Sequence, residues 1–140
     1  MEGSVSLKQG LADLGEIDQY ARDLESFRNL EIDADRFTPI RLQMGCYGQR
    51  QEGVNMLRIK IPGGRLTPAQ LRAIGGVLEK YSQHETAHVT TRQDIQIHHI
   101  PLERTPEAMR DLARAGLTTR EACGNTIRNI SACALAGVCS

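Results

Sequence analysis

Hydrophobic and polar positions change rhythm along this chain, and each rhythm predicts a different element. Leu11, Leu14, Ile17, Tyr20, Ala21 and Leu24 recur at roughly helical spacing through an otherwise polar stretch, which predicts an amphipathic helix within residues 1–26. Residues 28–53 sustain no period and are broken by Gly45 and Gly48, so they read as an extended, loop-rich arm. From Val54 the period becomes two. Leu57, Ile59 and Ile61 fall on one side of a strand, Arg58 and Lys60 on the other, and Pro62-Gly63-Gly64 ends it.

A helix follows. Thr67 stands as N-cap, with Pro68 at the first helical position and Gln70 three residues after the cap, which is a capping box. Leu71, Ile74, Leu78 and Tyr81 form its predicted buried stripe. Gly75-Gly76 costs such a helix about 1 kcal/mol per glycine relative to Ala, so either close packing compensates or the helix is locally weak. Residues 87–100 are strand-like throughout. A second helix repeats the entry chemistry, with Thr105 as cap and Pro106 after it, runs through Met109, Leu112 and Ala113, and stops at Gly116. The order β-α-β(β)-α predicts an α+β sandwich of the ferredoxin-like type, a half-domain with helices on one face of an antiparallel or mixed sheet. Three segments result: an N-terminal helix and extended arm over 1–49, the half-domain over 50–116, and the beginning of a further domain over 117–140.

Composition makes the core aliphatic: 40% of residues are hydrophobic and 24% charged, yet aromatics reach only 4% and there is no Trp. The zero formal charge hides an asymmetry. Residues 1–49 hold five Lys/Arg against nine Asp/Glu, and residues 50–140 hold twelve against eight. The basic second part suits an anionic partner, although ordinary surface scatter also accounts for it. No apolar run approaches the roughly 20 residues of a membrane span. The opening MEGSVSLKQG has no apolar signal region, and the cysteines are not in a dense secreted framework. A reduced, cytoplasmic setting without a membrane partner is the expectation.

Chemistry concentrates in residues 88–99. On a continuous strand, Thr90, Arg92, Asp94, Gln96 and His98 share one face, and Ile95 and Ile97 the other. A guanidinium, an amide, a hydroxyl and an imidazole in one row form a donor set for a polycarboxylate or phosphate, or else a solvated sheet face. If the first strand lies alongside, Arg58 and Lys60 add cations to the same surface. Further on, Gly124-Asn125 makes a turn, Arg128 and Asn129 begin a new element, and Ala132, Ala134, Ala136 and Gly137 follow. Such small side chains suit core packing, or the approach of the backbone to a macrocycle. Zinc is disfavoured: Cys123, Cys133 and Cys139 are spaced by ten and six residues, and His98 and His99 should point to opposite faces. Nucleic acid is disfavoured too, because neither strand 54–61 nor 88–100 carries a Phe or Tyr for base stacking.

Taken in order, MLRIKIPGG, TTRQDIQIHH and GNTIRN…AGVC resemble the sulfite/nitrite reductase family that couples sirohaem to a [4Fe–4S] cluster. The resemblance implies that the first two motifs lie in a ferredoxin-like half-domain and that the third opens the sirohaem/cluster domain. It assigns Thr90, Arg92, Gln96 and His98, with Asn129, to contacts with sirohaem and its carboxylates. It assigns Arg128, with Arg58 and Lys60, to the anionic substrate. Lys60 stands where relatives have a second Arg, and His88 where some carry another sirohaem-binding Arg. The implied function is the six-electron reduction of sulfite to sulfide or nitrite to ammonia, with ferredoxin or a flavoprotein reductase as electron donor. Cluster ligands are expected downstream of this chain, which holds no metal ligand of its own and alone would be inactive. A catalytically inactive docking module of the same fold is the alternative.

Overall fold

The alternation that begins at Val54 builds the centre of the molecule. Our computed structural model describes residues 11–139. Four strands, β1 (Cys46–Gly48), β2 (Val54–Ile59), β3 (Ala87–Val89) and β4 (Ile95–Pro101), form one sheet in the order β1-β2-β4-β3, each pair antiparallel. The central register sets Leu57 against Ile97, Arg58 against Gln96 and Ile59 against Ile95. Every second residue therefore faces one side, and Leu57, Ile59, Ile97 and Ile100 there have no exposed surface. Each such aliphatic side chain contributes about 1.5–3 kcal/mol by leaving water.

Helices cover that face. α1 (Leu14–Arg28), α3 (Pro68–Tyr81) and α4 (Thr105–Arg114) bring Ile17, Tyr20, Leu24, Ile74, Val77, Met109 and Leu112 into one core with the sheet. The capping box on α3 forms as expected: Thr67 Oγ1 accepts from Gln70 N at 3.2 Å and Gln70 Oε1 from Thr67 N at 3.0 Å. Gly116 closes α4 with φ of 77°. Its N–H reaches Ala113 O, and the next N–H, from Leu117, reaches Leu112 O, so two orphan carbonyls are satisfied.

The structure departs from the sequence reading at five places. The arm expected to be extended contains α2 (Ala34–Gln43), capped by Asp33, whose carboxylate accepts from Arg36 N at 2.8 Å. One buried residue, Phe37, anchors it by stacking on Phe27 at 4.5 Å, too little to show as a period. Residues 87–100 are a hairpin rather than one strand, turning where Thr90 N bonds Asp94 O and Gln93 N bonds Thr90 O. Within β4, a bulge sets three residue steps against two of β2, with His99 at φ of 58°. Leu71 is 56% exposed and Val77 takes its place in the core. Thr105 is helical rather than the cap; its hydroxyl donates to Leu102 O at 2.7 Å and meets Tyr20 Oη at 2.9 Å inside the core.

Candidate functional site

The second face of the sheet has no helix on it. Arg58 on β2 and its register partner Gln96 on β4 lie side by side there, and the Gln96 amide oxygen accepts from Arg58 Nε at 3.1 Å and from a terminal nitrogen. His88 on β3 pairs with Gln96 from the other side. His88 Nδ1 also lies 3.1 Å from His98 Nε2. Lys60, two residues past Arg58, carries the same face to the end of the sheet, where it bridges to Thr118.

Residues 118–132 then cross this face as irregular chain. Gly45 receives Thr119 so closely that a Cβ there would lie 2.0 Å from Thr119 O. Arg58 donates to Ala122 O at 3.4 Å and Lys60 to Ile127 O at 3.3 Å. Further along, Asn129 Nδ2 donates to both Ile61 O and Arg92 O at 2.8 Å, and Gln93 exchanges two hydrogen bonds with Ala132. The crossing segment is thereby tied to the hairpin turn. It brings Arg128 beside Arg58: both line a cleft of about 230 Å³ with Tyr47, Met56, Cys123 and Gly124. Arg128 donates to Gly124 O through Nε, and its two terminal nitrogens bond no described residue.

The eight residues singled out from the sequence thus separate into two groups. Arg58, Lys60, Gln96 and His98 lie on the open face, as strand parity suggested, and the crossing segment brings Arg128 to it. Thr90 and Arg92 leave the strand and stand in the turn. Thr90 Oγ1 accepts from Arg92 N and Asp94 N, so its hydroxyl holds the turn. Asn129 holds the crossing segment, although its Oδ1 is buried without a partner. Asp94, placed by parity on the open face, is instead 1% exposed and accepts from Ile61 N at 3.2 Å. Burial raises its carboxyl pKa above the ordinary value, against the pull of that N–H and of Arg58, Lys60 and Arg92. Tyr47 and Cys123 were missed as cleft residues, because only the sheet edge and the crossing segment bring them there.

Ion pairs hold some of the cations and leave others, among them Arg22, Arg36, Arg41, Arg65 and Arg72, without a carboxylate among the described residues. Lys80, Arg104, Arg110, Arg114 and Arg120 each meet a carboxylate in an ion pair. Among the described residues no carboxylate pairs with Arg58, Lys60, Arg92 or Arg128, the four cations at the open face and its turn. Burial pushes the Cys46 thiol up to about 12, with Tyr20 and Arg41 opposing, and burial also raises Cys123. Cys133 and Cys139 are exposed. Among the described residues no group of three or more His, Cys, Asp or Glu is arranged to hold a metal ion, and no helix is long and apolar enough to cross a membrane.

An antiparallel sheet with helices under one face and unpaired cations on the other defines an α+β sandwich with a basic open face. Over residues 47–115 the chain matches the nitrite/sulfite reductase ferredoxin-like half domain, and it belongs to that family. It is 33% identical over 133 residues to a ferredoxin–nitrite reductase of Leptolyngbya laminosa, a match covering 95% of this chain and 26% of that protein. It is 34% identical over 110 residues to a sulfite reductase [ferredoxin] of Mycobacterium tuberculosis, covering 66% of this chain and 20% of the relative. The solved structure of Mycobacterium tuberculosis NirA has the same fold over 90% of this chain and 28% of its own, with a TM-score of 0.69 and 27% identity. The chain therefore spans only about a quarter of the length of these relatives.

Proposed function

We propose that this chain forms the anion-binding half-domain of a sirohaem- and [4Fe–4S]-dependent oxidoreductase that reduces nitrite or sulfite and takes electrons from ferredoxin or a flavoprotein. The single observation behind this reading is the set of unpaired cations on a sheet face left free of helices. Arg58, Lys60, Arg92 and Arg128 converge on one face and its turn with no carboxylate among the described residues to neutralise them, which suits anions supplied from outside. The residues fit a carboxylate-rich macrocycle: Arg92, Gln96 and His98 would hold its carboxylates, with Thr90 and Asn129 fixing the turn that carries Arg92. Sirohaem coupled to the cluster would supply the electrons, which side chains cannot, and the cluster cysteines would come from polypeptide outside this chain.

The protein's own part is electrostatic. Arg58 and Arg128 share the cleft and would grip a small oxyanion with forked donors, while Lys60 adds a mobile charge able to deliver a proton. Removing one such donor from a desolvated anion site costs about 2.7–4 kcal/mol, or 10²–10³ in turnover. The test is a chimera in which this chain replaces the matching stretch of the Mycobacterium tuberculosis sulfite reductase, assayed with both anions and a reduced dye. The parent chimera should turn over one or both. Arg128→Ala should lose about 10²–10³ of that rate while keeping its sirohaem. A cofactor-loaded chimera without turnover, or unchanged turnover in the variant, would defeat the assignment.

A further inference from the structure

All four histidines of the chain gather on or beside one hairpin. His84 meets His99 edge-on with ring centroids 4.7 Å apart, His98 and His99 are 6.1 Å apart, and His88 meets His98 edge-on at 4.7 Å. In the last pair His88 Nδ1 faces His98 Nε2 at 3.1 Å. Two imidazole nitrogens at that separation cannot both present lone pairs, nor both present hydrogens. One proton lies between them. The pair belongs to the row that runs from His88 through Gln96 to Arg58, on the open face.

We propose that His88 and His98 form one proton-accepting unit, which takes up a proton when a carboxylate-bearing macrocycle docks on the open face. This rests on the reading above that the face receives such a group. While neutral, each ring carries one hydrogen, and the ring that donates to its neighbour has a bare outward nitrogen. An added proton goes to that nitrogen. Both outward nitrogens then carry hydrogens, and the inner contact becomes a stronger charge-assisted N–H···N bond. The unit changes from one outward donor to two and gains the positive charge that a carboxylate needs.

The surroundings disfavour an extra proton on His98 until an anion arrives. His98 is partly buried, and burial lowers its pKa, with His88 from β3 and His99 from β4 adding to the effect. Arg58 on β2 stands just across Gln96, and His84 reaches the group through His99. No carboxylate among the described residues forms an ion pair with either ring. A docked carboxylate supplies the missing opposite charge and raises the affinity of the pair for a proton. Binding of the macrocycle should therefore tighten as pH falls and the pair becomes easier to protonate.

Calorimetry of the 140-residue chain with iron uroporphyrin, an octacarboxylate macrocycle, tests this at pH 7 in two buffers of different ionisation enthalpy. Wild-type binding should take up between about 0.3 and 1 proton per macrocycle. That uptake should fall at least threefold in both His88→Gln and His98→Gln, and persist in His84→Gln. Nitrogen NMR of the rings should show both titrating together on binding. Binding without proton uptake, or uptake that survives both substitutions, overturns the paired unit and leaves the reductase reading standing. Absence of any binding heat removes the carboxylate face itself, and the pair's role with it.

Discussion

The two faces of the sheet are made by the same strands and obey opposite rules. On the helix-covered face Leu57, Ile59, Ile97 and Ile100 are fully buried and their interactions are apolar. On the open face, one residue away along each strand, Arg58, Lys60, Gln96 and His98 keep access to solvent and leave hydrogen-bonding capacity unspent. The first face supplies stability, because removing apolar surface from water is the dominant favourable term in folding. The second contributes little to stability and supplies chemistry. Mutation should separate the two cleanly.

The largest separation is expected between neighbours on β2. Leu57→Ala deletes a side chain with no exposed surface at the centre of the sheet, and should cost about 3 kcal/mol in urea or thermal unfolding. Arg58→Ala removes a partly exposed side chain whose partners are one amide and one carbonyl, and should cost about 1 kcal/mol or less. The same Arg58→Ala should weaken binding of iron uroporphyrin, which Leu57→Ala should leave intact wherever the variant is folded. Equal losses of stability at the two positions would erase the division between faces.

Asp94 lies where the faces meet, and its pH dependence sharpens the comparison. Its folded pKa is raised by burial, so the folded state holds the proton more tightly than the unfolded chain does. The associated stability is present in acid and is lost as pH rises from the unfolded aspartate value of about 3.9 through the folded one. Asp94→Asn keeps an acceptor for Ile61 N without the ionisation. The stability difference between variant and wild type should therefore shift in the variant's favour between pH 3.5 and 6.5. A difference that is flat across that range would show that Asp94 does not pay for its burial.

How much of this was legible depended on period. The core of β2 and the Arg58/Lys60 face followed directly from alternation, and α3 from its capping box. The same alternation carried too far along residues 88–99. It put Thr90, Arg92 and Asp94 on a strand face, whereas Gln93 adopts φ of 65° and turns the chain. A single left-handed Gln gives no composition signal, since Asn and Gly are the residues that usually announce such turns. The bulge at His99 had the same effect on parity, and brings His98 and His99 rings within 6.1 Å although adjacent strand residues should diverge. The cleft could not be read from local pattern, and only the family resemblance grouped Arg58 with Arg128, because Tyr47, Arg58 and Arg128 meet through the Gly45–Thr119 approach and the staple at Asn129. Those are contacts between distant segments, which no local pattern encodes.

The smallest expected effect concerns the surface of α3 away from both faces. Gly75 and Gly76 interrupt an otherwise good helix, and close packing was one explanation for them. The structure removes it: a Cβ built at either position meets nothing within 4 Å. Both glycines have negative φ, so alanine adopts their backbone without strain. What glycine brings at these sites is only unfolded-state freedom, which alanine reduces. Gly76→Ala should therefore raise stability by about 0.5–1 kcal/mol, which equilibrium denaturation can resolve against wild type. Binding of iron uroporphyrin should not change, since α3 packs behind the helix-covered face and supplies none of the open-face residues. A loss of stability in Gly76→Ala would show a constraint on α3 that its packing does not contain. A loss of binding would mean that the two faces communicate through the sheet, and that the separation drawn from their chemistry does not hold.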